Sequence, residues 1–246
     1  MPLTPKRVLR TFRYAVYFDG VDDYVRISLP SSLTGSASFT VMFCLSFYFQ
    51  PRRIWVLWYG TPGKYTVVHF LINPDGLTQF GFFDGVQNSI SVKPYEKVFT
   101  FYATRYDNIS SLLESFINGN KVDSDTVTTT PNVQPGYIYI GCPAPTFRES
   151  YLKGYIAQVL IYTRTLSDSE IQWNYQYPDN PVRNGLVLWL QAHPDYVKDI
   201  DGDGVLEWID LSGFGNHGKI YGAQLVQLIK TPSRVLKPAR VLKPMR

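Results

Sequence analysis

The sequence predicts an all-β protein, an antiparallel two-sheet sandwich with one short helix and extended basic termini. Three observations carry this. Tyr, Phe and Trp make up 15% of the 246 residues and charged residues only 18%, below the usual quarter or so, which excludes disordered, coiled-coil and Ala/Glu/Lys-rich helical chains. Apolar residues recur at every second position, most clearly at Phe39, Val41, Phe43, Leu45, Phe47 and Phe49, the period of a strand with one buried face. Turn signals punctuate the chain at Asp19-Gly20, Asn73-Pro74-Asp75-Gly76, Asp84-Gly85 and Asn118-Gly119, as a sandwich of short strands requires.

Taken in order, strands are predicted at 14–18, 24–28, 39–49, 54–59, 66–72, 78–83, 98–106, 111–117, 137–142, 155–162 and 185–190. One helix is predicted from Asp168 to about Tyr175. Ser167 and Glu170 have the spacing of a capping box, in which each side chain satisfies the other residue's free amide. Pro178-Asp179-Asn180-Pro181 then stops the helix and forms a rigid connector.

Charge divides the chain into three parts. Residues 1–13 carry four cations and no acid, and residues 230–246 carry six, again with no acid, so against a net charge of +4 the body carries −6. The predicted organisation is a basic arm over 1–13, a sandwich over 14–229 and a basic arm over 230–246. The second arm repeats itself, Arg234-Val235-Leu236-Lys237-Pro238-Ala239 followed by Arg240-Val241-Leu242-Lys243-Pro244-Met245. Its prolines oppose a central strand or helix, so an extended arm that orders only against a partner is expected. Arg7, Arg10, Arg234, Lys237, Arg240 and Lys243 are the expected assembly contacts. No run of eighteen apolar residues suggests a membrane span, and the N-terminus shows no recognisable signal peptide. Cys44 and Cys142 are compatible with one disulfide or two free thiols.

Five stretches in order resemble the laminin G-like, concanavalin A-like lectin/glucanase superfamily over residues 14–175. They are Tyr14 to Val25 with its FDGVDDY core, Phe39-Thr40-Val41, Phe116 to Val122 around Asn118-Gly119, Tyr137 to Gly141, and Gly154 to Ile171. The resemblance implies a jelly-roll of two curved antiparallel sheets. Leu186 to Leu190 and Trp208 to Gly218 look like the segment that normally precedes FDGVDDY, yet here they follow the helix. Either residues 185–225 complete their own sandwich, as in a circular permutation, or the strand is donated to another copy. Permuted sandwiches ending in RVLKP-type repeats are similar to proteins of hyperthermophilic archaea and their viruses.

The sharpest local motif is Asp199-Ile200-Asp201-Gly202-Asp203-Gly204-Val205-Leu206-Glu207-Trp208-Ile209-Asp210. Its alternating carboxylates, turn glycine and later acids suit calcium, with Asp199, Asp201, Asp203, the Val205 carbonyl and Asp210 as expected ligands. The alternative is a solvated turn rich in aspartate. Asp19, Asp22 and Asp23 form a second acidic turn, read as turn chemistry, and His217 is read as a loop histidine bonding backbone.

Glycosidases of this fold place two glutamates on one strand, whereas Glu96, Glu114, Glu149, Glu170 and Glu207 are isolated from one another. No catalytic residues are expected. Arg52, Trp55, Trp58 and Tyr59, beside Arg53, are the candidate sugar-binding group, and alternation places Trp55 and Tyr59 on the face opposite Trp58. The expected function is a non-enzymatic structural or interaction protein, a virion or surface-assembly component that binds other copies or subunits. The alternative is a carbohydrate-binding module for cell-surface glycans. Nucleic-acid contact through the arms is less favoured, because the acidic body would repel it.

Overall fold

The computed structural model describes residues 12–35, 38–60, 67–83, 87–92, 95–143, 150–229 and 237–241. The chain begins with β1 (Tyr14–Asp19), β2 (Tyr24–Ser28), β3 (Phe39–Phe47), β4 (Ile54–Gly60), β5 (Val67–Ile72) and β6 (Thr78–Phe83). Next come β7 (Gln87–Val92), β8 (Thr100–Asp107), β9 (Leu112–Ile117), β10 (Asn120–Thr126), β11 (Tyr137–Ile140) and β12 (Lys153–Tyr162). The helix α1 (Asp168–Gln176) precedes β13 (Leu186–Gln191), β14 (Val197–Lys198), β15 (Glu207–Trp208), β16 (Gly218–Tyr221), β17 (Gln224–Ile229) and β18 (Lys237–Val241).

Among the described residues these strands form two antiparallel sheets of nine. The first runs β10-β9-β8-β3-β12-β1-β17-β18, with β13 also paired to β12, and the second runs β14-β15-β16-β2-β11-β4-β5-β6-β7. Alternate residues of both sheets face each other and fill the space between them. Val16, Phe43, Ile156 and Val159 of the first sheet meet Val25, Val56, Phe70 and Ile138 of the second in one buried cluster. Aromatic rings bridge the layers, Phe43 to Phe70 at 5.6 Å and Phe80 to Tyr102 at 6.1 Å between centroids. Burying each such side chain contributes on the order of 1.5–3 kcal/mol.

Strand β3 departs from the one-faced expectation, because all nine of its residues are buried. Its second face lies under α1, where Met42 packs with Leu160, Phe116, Ile171 and Trp189, and Cys44 packs with Phe101 and Tyr175. Thr40 is tolerated there because its hydroxyl donates to the Arg164 carbonyl at 2.8 Å and accepts the Leu166 amide at 3.0 Å. Phe49 lies beyond the strand and is 39% exposed.

The helix starts as the sequence predicts. Ser167 Oγ accepts the Glu170 amide at 3.2 Å and the Glu170 carboxylate accepts the Ser167 amide at 2.8 Å. The Arg164 fork grips the same carboxylate at 2.6 and 2.9 Å, and that contact is the main reason its pKa falls to about 2. The buried Gln158 amide donates to Pro178 O at 2.7 Å, tying the connector after α1 to the middle of β12.

The displaced segment is seated in this chain's own sheets. Strand β13 pairs with β12 through Val159↔Leu190, β16 with β2 through Ile220↔Val25, and β17 with β1 through Val16↔Leu225. The arms depart from expectation. Phe12, placed in the N-terminal arm, is 4% exposed and packs on Phe101 at 5.9 Å. In the C-terminal arm, Lys237–Val241 pairs with β17 through Val226↔Val241, so this segment orders on its own chain. An edge position tolerates Pro238, since an edge strand has one row of amides without a ladder partner. Lys237 and Arg240 lie on β18, whereas Arg7, Arg10, Arg234 and Lys243 fall outside the described residues. Cys44 and Cys142 are both buried free thiols in separate clusters, which leaves the disulfide alternative unmet.

Candidate functional site

The outer face of the second sheet carries aromatic side chains where a polar surface would be expected. On β2 the core takes Val25 and Ile27, leaving Tyr24 and Arg26 outside; on β11 it takes Ile138 and Ile140, leaving Tyr137 and Tyr139 outside. On β16, Ile220 turns inward while Lys219 and Tyr221 turn outward.

Strand β4 breaks its own alternation. A β-bulge interrupts its pairing with β5 between Trp55 and Leu57, so the neighbours Val56 and Leu57 both enter the core. An extra residue in one strand flips the faces of everything beyond it. Trp55 and Trp58 therefore share the outer face, with ring centroids 4.9 Å apart, which corrects the expectation that they lie on opposite faces. Tyr59 is 1% exposed and belongs to the core, where it meets Phe39 edge-on at 6.4 Å. Its hydroxyl is pushed far above the usual tyrosine pKa by burial, and it is not available to a ligand. Arg52 is held elsewhere, donating to Gly20 O at 3.0 Å and Gln50 Oε1 at 3.2 Å. Arg53 donates to Asn73 Oδ1 at 3.1 Å.

The register aligns one row across the face: Glu207, Lys219, Arg26, Tyr139, Trp58 and His69 occupy successive strands. Around it Tyr24 stacks on Tyr221 at 4.6 Å, Tyr137 tilts over Tyr139 at 5.9 Å, and Trp55 meets His69 edge-on at 5.6 Å. Tyr137 is 42% exposed and Tyr24, Arg26, Trp55 and Tyr221 are half-buried, whereas Trp58 and Tyr139 beneath them are buried. The Arg26 guanidinium lies 5.1 Å from the Tyr137 ring and 5.5 Å from the Tyr221 ring, and donates to Tyr221 Oη at 3.0 Å. Burial raises the pKa of Tyr24 and Tyr139. Sequence alone does not single out Tyr24, Arg26, Tyr137, Tyr139 or Tyr221, although the alternation in Tyr24–Ser28 and Tyr137–Ile140 is enough to place the first four opposite the core.

The acidic loop borders this face. It joins β14 to β15, and Val197↔Trp208 and Lys198↔Glu207 close its base. Asp199 accepts the Gly202 and Gly204 amides at 2.7 and 3.0 Å, and Asp203 accepts the Val205 amide at 2.8 Å. Lys219 reaches in from β16 to Asp201 at 3.3 Å, Asp203 at 2.5 Å and Glu207 at 3.7 Å. Those carboxylates hold its ammonium well above the usual lysine pKa, the Asp203 hydrogen bond most of all. Carboxylate oxygens of Asp199, Asp201 and the buried Glu207 lie within 4.8 Å of one another.

Asp210 is not part of that group, contrary to expectation. Its carboxylate is consumed by the amides of Trp189, Ser212 and Asn216 and by the Ser212 hydroxyl, at 2.7–3.0 Å. Glu207 stands in the cluster instead. His217 Nδ1 accepts the Asp210 amide at 3.0 Å.

Asp19, Asp22 and Asp23 also bring their oxygens within 4.8 Å of one another. Asp19 accepts the Val21 amide at 2.7 Å and Asp23 accepts the Asp19 amide at 2.8 Å. Gly222, at φ +75°, leaves the space the Asp23 carboxylate fills. Burial pushes Asp23 up to about 6.

A sandwich of two antiparallel sheets with an aromatic outer face defines a lectin-type architecture. The chain belongs to the concanavalin A-like lectin/glucanases superfamily, whose sequence model it matches over residues 19–172. A search of curated protein sequences finds no match. In structure the chain is similar to a candidate carbohydrate-binding protein from Bacteroides ovatus, with TM-score 0.68 and 18% identity over 88% of this chain and 60% of that one. It is also similar to a heptameric SAP-like pentraxin from Limulus polyphemus, with TM-score 0.50 and 11% identity over 66% of this chain and 82% of that one. A Trypanosoma rangeli sialidase reaches TM-score 0.49 and 16% identity over 67% and 28%. At these identities the likenesses establish the fold alone.

A carboxyl whose pKa is raised from 3.8 to about 6 on folding adds stability that is fully present below its unfolded value and lost as pH rises through its folded value. Asp23→Asn keeps an acceptor for the Asp19 amide. In thermal melts it should unfold at a higher temperature than the parent near pH 8, and the advantage should vanish near pH 4.

Proposed function

We propose that the protein is a non-catalytic carbohydrate-binding module whose binding surface is the outer aromatic face of the second sheet. The observation that carries this is the bulge in β4, which brings Trp55 and Trp58 together on one face beside Tyr24, Tyr137 and Arg26. Aromatic faces bury the apolar C–H side of a sugar ring, while hydroxyl and guanidinium groups at their edges bond its polar rim. The superfamily and the fold shared with the Bacteroides ovatus protein support the same reading. The described glutamates support absence of catalysis, since each has a structural partner: Glu96 the Phe49 amide, Glu114 Arg105 and Lys121, Glu170 Arg164, and Glu207 the Ile200 amide. On a glycan array, binding should fall at least tenfold in Trp55→Ala and be unchanged in Tyr59→Phe; retained binding in Trp55→Ala would sink the assignment.

Calcium is proposed for the acidic loop, with Asp199, Asp201 and Glu207 as the carboxylate ligands and Asp203 and the Val205 carbonyl beside them. The mutual spacing of the Asp199, Asp201 and Glu207 oxygens, within 4.8 Å, suits ligands placed about 2.3–2.6 Å from one ion. The ion would displace Lys219 from Asp201. Calcium should raise the melting temperature of the parent and not of Asp201→Ala; equal melting with and without calcium would rule the ion out.

The arms favour a second role, in which the module is held to other copies or subunits at a cell surface or in a virion. What supports it is the separation of charge, ten cations on two arms around a body of −6. Removing residues 230–246 should leave a folded monomer by light scattering where the full chain forms larger species. Unaltered association after truncation would overturn this role.

A further inference from the structure

We infer that the aromatic face selects glycans bearing a carboxylate or sulfate group, and that Arg26 is the residue that reads the charge. This rests on the glycan-binding reading above and adds the class of ligand to it.

Arg26 differs from the other cations near the face. Lys219, its register neighbour, is committed to Asp201, Asp203 and Glu207. Arg52 is spent on a backbone carbonyl and Gln50, and Arg53 on Asn73. Among the described residues no carboxylate pairs with Arg26, although the body carries an excess of acid.

Its geometry is set in advance. The Tyr137 and Tyr221 rings both lie within 5.5 Å of the guanidinium carbon, and one N–H is fixed on Tyr221 Oη. Rings hold the planar cation without neutralising it. The remaining N–H groups keep the fork that matches two oxygens of a carboxylate or sulfate, a bond stronger than a neutral one and strengthened further by partial burial. Trp58 lies two strands away in the same row, about 10 Å at the usual strand spacing. A sugar resting on Trp55, whose ring lies 4.9 Å from that of Trp58, therefore places the next residue's acidic group toward Arg26.

The test is calorimetric titration of the full chain with three probes: trigalacturonic acid, a sulfated galactan trisaccharide and neutral galactotriose. The parent should bind one or both charged probes about tenfold more tightly than the neutral one, and the two charged arms separate carboxylate from sulfate. Arg26→Gln should lose that tenfold preference and bind charged and neutral probes alike. Arg26→Lys, which retains charge without the fork, should keep only part of the preference, and its melt checks that the face remains folded. Equal affinity for charged and neutral probes in the parent, or a preference surviving in Arg26→Gln, overturns this inference and leaves the glycan-binding reading standing. Absence of binding to all three, together with a blank glycan array, overturns both.

Discussion

The structure depends on the need of one antiparallel pair, β3 with β12, to bury both of its faces. All nine residues of β3 and all but Lys153 in β12 are buried. One face is satisfied by the second sheet. The other needs a lid, which α1 supplies through Ile171 and Tyr175. Its capping box and the Arg164 fork hold the helix start, and Gln158 ties down the chain beyond its end. A bulge at Ala157 lets β12 divide its free edge, giving Val16 and its neighbours one half and Leu188 to Gln191 the other. The late segment 186–229 thus has a place to return to in both sheets.

The two outer faces solve the same problem differently. The first sheet hides its outward Met42, Cys44 and Leu160 beneath the helix and Phe12. The second sheet packs its outward Trp58 and Tyr139 with Cys142 and Tyr151 of the β11–β12 connection, in a cluster flanked by Tyr24 and Trp55 with no described helix over it. Its rings cover one another, and what they leave open is amphipathic: ring faces, tyrosine hydroxyls and a guanidinium. Such a surface is matched by a ligand with both apolar and polar sides, which is the chemistry of a sugar.

Much of the fold was legible because buried strands announce themselves by period. Phe39 to Phe47, Tyr155 to Tyr162 and the capped helix lie close to where alternation and capping place them. Strand β10 did not announce itself. It is a polar edge strand, exposed at nearly every position from Asn120 to Thr126, so no buried face writes a pattern into it. The site was half legible. Trp55 and Trp58 were visible as candidates, but their common face depends on a bulge, and Val56-Leu57 reads like any apolar pair. Asp210 looked like the last ligand of a loop, yet its oxygens are claimed by Trp189 and Asn216, contacts between segments that periodicity does not connect. Lys219 as the loop's counter-charge is a product of strand pairing in the same way.

The bulge in β4 makes backbone register, rather than residue identity, the determinant of what this face displays. If Trp55 kept its place and the same residues ran on without the bulge, simple alternation would return. Leu57 would then emerge beside Tyr139, Trp58 would turn into the core and Tyr59 would emerge opposite Tyr137. A phenol would replace an indole on the surface, and a larger ring would crowd the space where Tyr59 now meets Phe39. Loss of either Val56 or Leu57 would instead remove the bulge and keep both tryptophans outward two positions apart, so the bulge is what lets a three-residue spacing present them on one face.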